Sequence, residues 1–317
     1  MTILEASQEA IMAAGAALRG GALVAFPTET VYGLGADASD GRAVAAIFAA
    51  KGRPRFNPLI VHVCDLDAAA RLGCLTDSGR QLAAAFWPGA LTLVVAKQPQ
   101  CPVADLATVG LKTIALRVPA HGVARALISA AARPVAAPSA NRSGHVSATT
   151  AAHVEADLGD SVSIILDGGP TPIGLESTVV DATGREPVIL RLGGLARESM
   201  ERVLARPMAL ARGAPGKPAS PGMLARHYAP AARLRLDAGE VHAGEALLAF
   251  GPTVPKHAAA TINLSPSGDL VEAAANLFSA LRALDAAGAE AIAVMPIPHW
   301  GLGEAINDRL QRAARCP

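Results

Sequence analysis

Short apolar runs alternate with longer segments of helical period along most of this chain, and this alternation constrains the fold more than any other feature. The apolar runs that fit buried strands are 22–26, 59–63, 91–96, 113–118, 162–166, 177–182 and 187–192. The segments that fit helices are 7–20, 40–51, 77–86, 121–132, 149–158 and 197–205. Buried strands separated by helices predict an α/β fold in which helices cover a sheet.

The alternation breaks once and then resumes, which predicts two domains. Residues 206–232 carry Pro and Gly without a sustained period, as a linker does. The second half of that segment nevertheless gathers Met223, Arg226, His227 and Tyr228. Beyond it, strands fit 234–238, 246–251 and 291–298, and helices fit 269–287 and 303–315. We therefore predict a catalytic domain over 1–205, a linker or lid over 206–232 and a smaller α/β domain over 233–317.

The composition excludes several classes of protein. Apolar residue types make up 51% of the 317 residues, which excludes an intrinsically disordered chain. The net charge of +1 argues against a protein that binds nucleic acid mainly through charge. The four cysteines have no C-x-x-C spacing, and no apolar run reaches the roughly 18 residues of a membrane span. We expect a cytoplasmic protein with reduced thiols and no membrane contact.

The first 21 residues predict an amphipathic helix and not a secretory signal peptide. A basic n-region is missing, and Glu5 and Glu9 interrupt the apolar pattern. Ser7 fits the N-cap of this helix, and the pair Gly20 and Gly21 fits its end.

Polar and cationic side chains gather at the ends of the predicted strands. The string PTETVYGLG at 27–35 follows the first strand, and APSANRSGHVS at 137–147 follows a later one. In KGRPRFNPLIVH, Lys51 lies beside Arg53 in a loop that also contains prolines. This pair suits a polyphosphate, because Lys supplies a point charge and Arg a planar fork. Arg117 interrupts an apolar strand, where a buried guanidinium needs a carboxylate from the protein or from a ligand.

Common catalytic fingerprints are missing from the sequence. It contains neither G-x-G-x-x-G nor G-x-x-x-x-G-K-[ST], so neither standard phosphate loop explains nucleotide binding. It also lacks the G-x-S-x-G nucleophile motif and the H-E-x-x-H metal motif. A cationic, hydrogen-bonding set of residues without a covalent nucleophile suits the positioning and charge stabilisation of a transferring phosphoryl or nucleotidyl group. Spacing alone therefore indicates an anion-binding α/β enzyme.

Several strings in order resemble the threonylcarbamoyl-AMP synthase family, whose catalytic module is the YrdC-like domain. The strings are PTETVYGLG, K-x-R-x-x-x-N-P-L-I-V-H at 51–62, WPGALT at 87–92, APSAN at 137–141, ESTVVD at 176–181 and the arginine in ILRLG. SPGMLARHYAP and the terminal GLGEAINDRLQRAA are similar to the linker and the last helix of the two-domain form. The resemblance spans nearly the whole chain.

This resemblance implies a fold and a reaction. The fold is a twisted open-sheet α/β catalytic domain followed by a smaller Rossmann-like α/β domain. The reaction is that of an L-threonylcarbamoyladenylate synthase, a nucleotidyltransferase that converts L-threonine, bicarbonate and ATP to threonylcarbamoyl-AMP and pyrophosphate. Mg²⁺ is expected with the ATP. Downstream transferase proteins would pass the group on to tRNA, and direct contact with tRNA is expected to be weak or indirect.

The resemblance also implies roles for individual residues. Lys51 and Arg53 are expected to be catalytic and to contact the ATP phosphates, with no metal-ligating side chain. The residues expected around L-threonine are Thr28, His62, Arg117, Ser139 and Ser177, with Arg117 on the threonine carboxylate. The further residues expected around ATP are Asn57, Thr113, Asn141, Ser147, Arg191 and Tyr228, with Tyr228 forming part of a lid.

Two alternative functions remain open from the sequence. One is a carbamoyl-adenylate-forming maturation enzyme with a related module, although such enzymes carry an acylphosphatase-like segment and paired C-x-x-C motifs that this chain lacks. The other is an RNA-binding module, against which the net charge of +1 and the lack of a Lys/Arg-rich stripe both weigh.

Overall fold

The computed structural model describes residues 2–211 and 228–315. The strands of the first domain are β1 (Thr2–Glu5), β2 (Val24–Phe26), β3 (Gly33–Asp37), β4 (Ile60–His62), β5 (Gly73–Cys74), β6 (Leu91–Lys97), β7 (Thr113–Arg117), β8 (Val135–Ala136), β9 (Ile164–Asp167), β10 (Thr178–Asp181), β11 (Val188–Arg191) and β12 (Ala209–Leu210). Its helices are α1 (Gln8–Arg19), α2 (Gly41–Lys51), α3 (Leu66–Leu72), α4 (Asp77–Phe86), α5 (Asp105–Thr108), α6 (Gly122–Ala131), α7 (Ala151–Leu158) and α8 (Arg197–Leu204).

These strands form one mixed sheet with helices on both of its faces. The strand order is β1-β9-β2-β3-β8-β4-β7-β6-β10-β11-β12, and β5 pairs with β6 outside this path. Leu18 of α1 and Leu127 of α6 pack together on one face, whereas Val44 and Ile47 of α2 lie in the core of the other. Burial of apolar side chains on both faces is what stabilises such a sheet. The predicted α/β class of the catalytic domain is confirmed.

The strand pairing brings the ends of several strands to a single edge. β4 and β7 run parallel with His62 opposite Arg117, so both side chains lie at the same strand end. β10 begins just after Ser177 and runs parallel to β6, which in turn is antiparallel to β7, so Ser177 reaches the same edge. β11 returns antiparallel to β10 and places Arg191 opposite Val179. Residues from distant parts of the chain therefore meet there.

The predicted N-cap of the first helix is confirmed at Ser7, and the prediction that the first 21 residues form a helix was wrong for residues 2–5. The first helix begins only at Gln8, with the predicted N-cap Ser7 accepting a hydrogen bond from the Ala10 N–H at 3.1 Å. Residues 2–5 instead form β1, which pairs in parallel with β9. The local apolar pattern does not distinguish a strand from a helix here. The strand forms because it pairs with β9, whose residues lie about 160 positions later in the sequence.

The last three residues of PTETVYGLG belong to strand β3 (Gly33–Asp37), which was not among the predicted strands. A Cβ on Gly35 would lie 2.8 Å from Cε1 of Phe26 and 3.0 Å from Cγ1 of Val135, so close packing in the sheet requires glycine there. Glycine has a low strand propensity, and for that reason the sequence pattern concealed this strand.

Part of the predicted linker belongs to the first sheet. β12 lies within the segment 206–232 and pairs in parallel with β11, so the sheet continues beyond residue 205. A two-residue edge strand between prolines leaves no recognisable period in the sequence. The structure does not describe residues 212–227, which include Met223, Arg226 and His227.

The smaller domain is a parallel α/β sheet. Its elements are β13 (Arg233–Arg235), β14 (Ala246–Ala249), β15 (Thr261–Asn263), α9 (Leu270–Ala286), β16 (Ala291–Val294) and α10 (Leu302–Ala314). All neighbouring strands are parallel in the order β13-β16-β14-β15. Leu281 of α9 and Ile306 of α10 pack with Leu248 and Val294 on one face of this sheet. The predicted second α/β domain is confirmed.

No helix in the described ranges is both long enough and apolar enough to cross a bilayer.

Candidate active site

A cavity of about 520 Å³, counting its open mouth, lies at the edge of the first sheet where the strand ends meet. The predicted site residues that line it are Thr28, Arg53, His62, Arg117, Ser139, Ser177 and Arg191. The other residues that line it are Thr30, Val31, Tyr32, Gly33, Ile60, Ala137, Pro138 and Glu176. The cavity therefore combines three arginines with hydroxyl groups and a partly apolar wall, a composition that suits an anionic ligand with a small side chain.

Arg117 forms a buried ion pair with Glu29. Its Nη2 lies 2.6 Å from Oε1 of Glu29 and 2.9 Å from Oγ1 of Thr30. The other carboxylate oxygen accepts from the N–H of Ala120 at 3.0 Å. Burial raises the pKa of Glu29, but Arg117 and these hydrogen bonds outweigh burial and leave the pKa below its ordinary value. The carboxylate that a buried Arg117 needs is thus supplied by the protein.

This ion pair leaves the guanidinium with further donors. An arginine has five N–H groups, of which the structure directs one from Nε to the Gly89 carbonyl at 3.3 Å and others from Nη2 to Glu29 and Thr30. The predicted contact between Arg117 and the threonine carboxylate is compatible with this geometry and stays a prediction.

Lys51 ends helix α2 and is almost completely buried. Its Nζ donates to the carbonyl oxygen of Ser139 at 2.6 Å and also to that of Asn141. Burial, with the nearby charge of Arg53, lowers the pKa of Lys51 well below its ordinary value. Lys51 lies just behind the Ser139 loop and lines a neighbouring cleft with Gly52 and Arg142.

Arg53 is directed into the cavity by the end of the same helix. Gly52 adopts the left-handed conformation, with φ of 60°, that ends helices. Arg53 then donates from Nε to the Asn57 carbonyl at 3.3 Å and from Nη2 to the Pro58 carbonyl at 3.0 Å. Burial lowers the pKa of Arg53 to about 9. The side-chain amide of Asn57 is fully buried and has no hydrogen-bond partner in the described part of the chain.

Ser177 and Arg191 are held together at the opposite wall. The Arg191 guanidinium donates to the Ser177 carbonyl from Nε at 3.2 Å and from Nη2 at 2.8 Å. The Ser177 hydroxyl lies 2.7 Å from Oγ1 of Thr92. Gly193 follows closely, and a Cβ there would lie 2.3 Å from the Glu176 carbonyl oxygen. Only glycine allows the two strands to approach this closely.

His62 is held in its neutral form. Burial, with the charge of Arg117 next to it, lowers the pKa of His62 to about 3. Its ring meets Phe26 edge-on, with ring centroids 6.3 Å apart. The Nδ1 atom is buried without a hydrogen-bond partner among the residues the structure describes. A neutral imidazole in this position offers a hydrogen bond rather than a charge to a ligand.

Three further predicted residues, Ser147, Asn141 and Tyr228, lie near the cavity but do not line it. Oγ of Ser147 donates to Oε1 of Glu176 at 2.5 Å, and Nδ2 of Asn141 donates to the carbonyls of Arg142 and His145. Tyr228 is buried in an apolar cluster that includes the cavity residue Val31.

Thr113 is not brought to the cavity. It is the first residue of β7, whereas Arg117 at the cavity is the last, which separates them by about 13 Å along the strand. Its predicted contact with the nucleotide finds no counterpart in this arrangement and stays a prediction. The described ranges contain no group of three or more His, Cys, Asp or Glu placed to hold a metal ion.

Two family models match consecutive parts of the chain. The Sua5_yciO_yrdC model, described as telomere recombination, matches residues 16–193. The model for the threonylcarbamoyl-AMP synthase C-terminal domain matches residues 195–315. The chain belongs to the threonylcarbamoyl-AMP synthase family.

Individual relatives support the same assignment over nearly the full length. The threonylcarbamoyl-AMP synthase of Bacillus subtilis (strain 168) is 41% identical over 98% of this chain and 94% of its own. That of Pyrococcus abyssi is 43% identical over 94% of this chain and 92% of its own. The crystal structure of P. abyssi Sua5 complexed with L-threonine superimposes with a TM-score of 0.91 at 38% identity, covering 99% of this chain and 98% of that one. The two alternative functions considered from the sequence are not favoured by these similarities.

Sequence reasoning missed two acidic residues and one arginine that the family fold brings to this site. Glu29 lies between Thr28 and Thr30 in the string PTETVYGLG, and its charge could have identified it as a partner for a buried arginine. Glu176 opens ESTVVD in the same way. Arg309 lies within the helical pattern 303–315, where an arginine is typical of an exposed face, and nothing in the pattern distinguishes it from its neighbours.

Proposed function

We propose that this chain joins L-threonine, bicarbonate and ATP into threonylcarbamoyl-AMP and releases pyrophosphate. The observation that supports this reaction best is the cavity itself, in which Arg53, Arg117 and Arg191 surround a small space lined by hydroxyl groups and a neutral His62. These groups suit a zwitterion with a short side chain and, beside it, an anionic phosphate chain. Membership of the family supports L-threonine and ATP as these two substrates.

The reaction needs no covalent protein nucleophile. The threonine amine takes up carbon dioxide from bicarbonate, with loss of water, to form a carbamate. A carbamate oxygen then forms a bond to the α-phosphorus of ATP while the bond from that phosphorus to the bridging oxygen breaks, and pyrophosphate leaves with the electron pair. The protein has to hold both substrates in line and to stabilise negative charge on the phosphate oxygens.

The cationic residues divide this work. Arg53 and Arg191 face the cavity and are proposed to contact the phosphates, and Lys51 is proposed to reach them from the adjoining cleft. Thr28, Ser139 and Ser177 are proposed to bind threonine, with Arg117 on its carboxylate. Since the walls are largely buried, charge interactions inside are stronger than in water, and the carbamate is shielded from hydrolysis.

The chemistry of the cavity fits a Mg²⁺ ion that arrives with ATP. The nearby carboxylates are engaged by arginines, Glu29 by Arg117 at 2.6 Å and Glu176 by Arg309 at 3.0 Å. Phosphate oxygens and waters are then the ligands open to a hard cation, which is how Mg²⁺ is commonly bound. The ion would add positive charge to the phosphates when bound. A cytoplasmic location and transfer of the product to proteins that modify tRNA belong to the same proposal.

A single assay tests the proposed reaction. The full chain is incubated with MgATP and bicarbonate, and pyrophosphate is measured with L-threonine, with L-serine and without an amino acid. We expect release that depends on threonine and is weaker with serine, since serine lacks the side-chain methyl. Release that is independent of threonine, or no release, would contradict the proposal.

A further inference from the structure

The smaller domain packs firmly against the catalytic domain through helix α9. Arg282 of α9 forms an ion pair with Asp157, its Nη2 lying 2.8 Å from Oδ2 of the carboxylate. The hydroxyl of Ser279 lies 2.9 Å from that of Thr149. Gly174 lies so close to the helix backbone that a Cβ would be 2.4 Å from the Ala274 carbonyl oxygen. Because Leu281 of α9 and Ile306 of α10 belong to the same apolar cluster, these contacts also hold α10 against the catalytic domain.

Helix α10 places one arginine behind the wall of the cavity, in contact with the residues that form it. Arg309 has no solvent-exposed surface, which is exceptional for an arginine. Its Nε lies 3.0 Å from Oε2 of Glu176, and its Nη2 donates to the Leu192 carbonyl at 2.7 Å. Its guanidinium carbon lies 5.0 Å from the ring centroid of Tyr228, within the range of a cation–π interaction.

The two groups that Arg309 binds in the catalytic domain adjoin proposed substrate-binding residues. Glu176 lines the cavity and immediately precedes Ser177, and Leu192 immediately follows Arg191. One guanidinium therefore ties together the two chain segments that form this wall. A residue of the second domain holds in place side chains that belong to the first.

Arg309 also governs the charge of the cavity. Glu176 is buried, with one oxygen bound by Arg309 and the other by the Ser147 hydroxyl at 2.5 Å. Burial lowers the pKa of Arg191, and the Glu176 carboxylate acts on Arg191 in the opposite direction, so these two groups are electrostatically coupled. Without Arg309, the Glu176 carboxylate would lose this buried counter-ion, and its negative charge would weaken the attraction of the cavity for phosphate.

We propose that Arg309 is a positioning residue for the nucleotide side of the active site, so that the smaller domain completes the site instead of serving as a separate module. The inference rests on the proposed function, because its measurable consequence is a change in the use of ATP. Arg309 acts through Glu176 and Leu192 and does not itself line the cavity.

The test compares steady-state pyrophosphate release by full-length variants, with ATP and threonine varied in turn. We expect Arg309→Met to lower kcat/KM for ATP by at least about tenfold, mainly through KM, because removing one partner of a buried ion pair leaves an uncompensated charge. The KM for threonine should change less. Arg309→Lys, which keeps the charge but loses the planar fork, should fall between Arg309→Met and the wild type.

A matched control lies on the same helix. Glu304 pairs with Arg197 of the catalytic domain at 2.6 Å and therefore also bridges the two domains, but neither residue lines the cavity. Glu304→Gln should retain wild-type KM values. If Glu304→Gln raised the KM for ATP as much as Arg309→Met, the effect would belong to domain docking and the proposal would be wrong.

A second variant separates charge from folding. In the double variant Arg309→Met with Glu176→Gln, the carboxylate that Arg309 compensates is removed as well, and the KM for ATP should return most of the way toward the wild-type value. This rescue does not depend on the single variant folding, since the double variant can be compared directly with Glu176→Gln and the wild type.

The outcomes distinguish this inference from the proposed function. If the wild type releases pyrophosphate with threonine but Arg309→Met matches it, or if the KM for ATP of the double variant stays as high as that of Arg309→Met, then the positioning role is overturned and the function stands. A wild type without threonine-dependent release overturns the function instead.

Discussion

Four buried cations of this protein, apart from Arg191, fall into two groups that are bound differently. Arg117 and Arg309 each form an ion pair with a buried glutamate. Lys51 and Arg53 donate to backbone carbonyl oxygens, and no described carboxylate lies within ion-pair distance of either. The first group is largely neutralised and fixes the cavity wall, whereas the second has no such counter-ion among the described residues and is available to an incoming anion. A buried charge without a counter-ion is costly, and that cost is offset when a polyphosphate binds.

The ion-pair group is tested most strongly at Glu29. Glu29→Ala leaves Arg117 buried without its carboxylate, so the free energy of unfolding should fall by about 3–5 kcal/mol. Chemical denaturation of the variant and the wild type measures this difference. Glu29→Gln keeps hydrogen-bonding atoms in place and should cost less. A loss of less than about 1 kcal/mol in Glu29→Ala, the range of an exposed pair, would contradict a structural role for this ion pair.

The same pair predicts a direction for acid stability. Because the pKa of Glu29 in the folded protein lies below its ordinary value of 4.5, its contribution to stability is present above about pH 4.5. It is lost as the pH falls through the folded-state pKa. The stability difference between the wild type and Glu29→Gln should therefore shrink in acid, and a difference that grows there would contradict the assignment.

The second group is tested at Lys51. Lys51→Ala should lower kcat/KM for ATP by roughly 100-fold or more, the size seen when a group that stabilises transition-state charge is removed. Lys112→Ala is the matched control, since Lys112 is exposed on the surface. Wild-type turnover by Lys51→Ala would remove Lys51 from the phosphate site.

Tyr228 connects the two groups, because its ring lies beside Arg309 and stacks on Phe278 with centroids 5.5 Å apart. Tyr228→Ala removes this stacking and should reduce threonine-dependent turnover by about tenfold, whereas Tyr228→Phe keeps the ring and should lose less. Equal losses in the two variants would show that the hydroxyl, and not the ring, carries the effect.

The smallest expected effect is a proton taken up with ATP. Burial lowers the pKa of Lys51, and a bound phosphate would raise it again, so ATP binding should take up a proton on Lys51 at a pH between these two pKa values. Titration calorimetry in two buffers with different ionisation enthalpies measures this uptake, and it should vanish in Lys51→Met. Equal binding enthalpies in both buffers would show that no proton is taken up on Lys51 when ATP binds.

The sequence predicted several of the strands and residues that form the site, but not all of them. Arg117 was found because it interrupts an apolar strand, and the predicted helix over 40–51 is confirmed as α2, which ends at Lys51. β1 and β3 were missed, because their pairing depends on β9, β2 and β8, whose backbone lies elsewhere in the sequence. The ligand roles of the predicted residues stay predictions until the variants above are measured.

The sequence by itself determined the α/β alternation, the two domains and the cationic strand ends, because each depends on a local pattern of apolar and polar residues. Only the tertiary structure decided which carboxylate serves which arginine. Glu29 and Arg117 are 88 residues apart, and Glu176 and Arg309 are 133 residues apart and belong to different domains. Such pairs form only when packing brings distant elements together. The periodicity of each segment predicts its secondary structure but not its ion-pair partner.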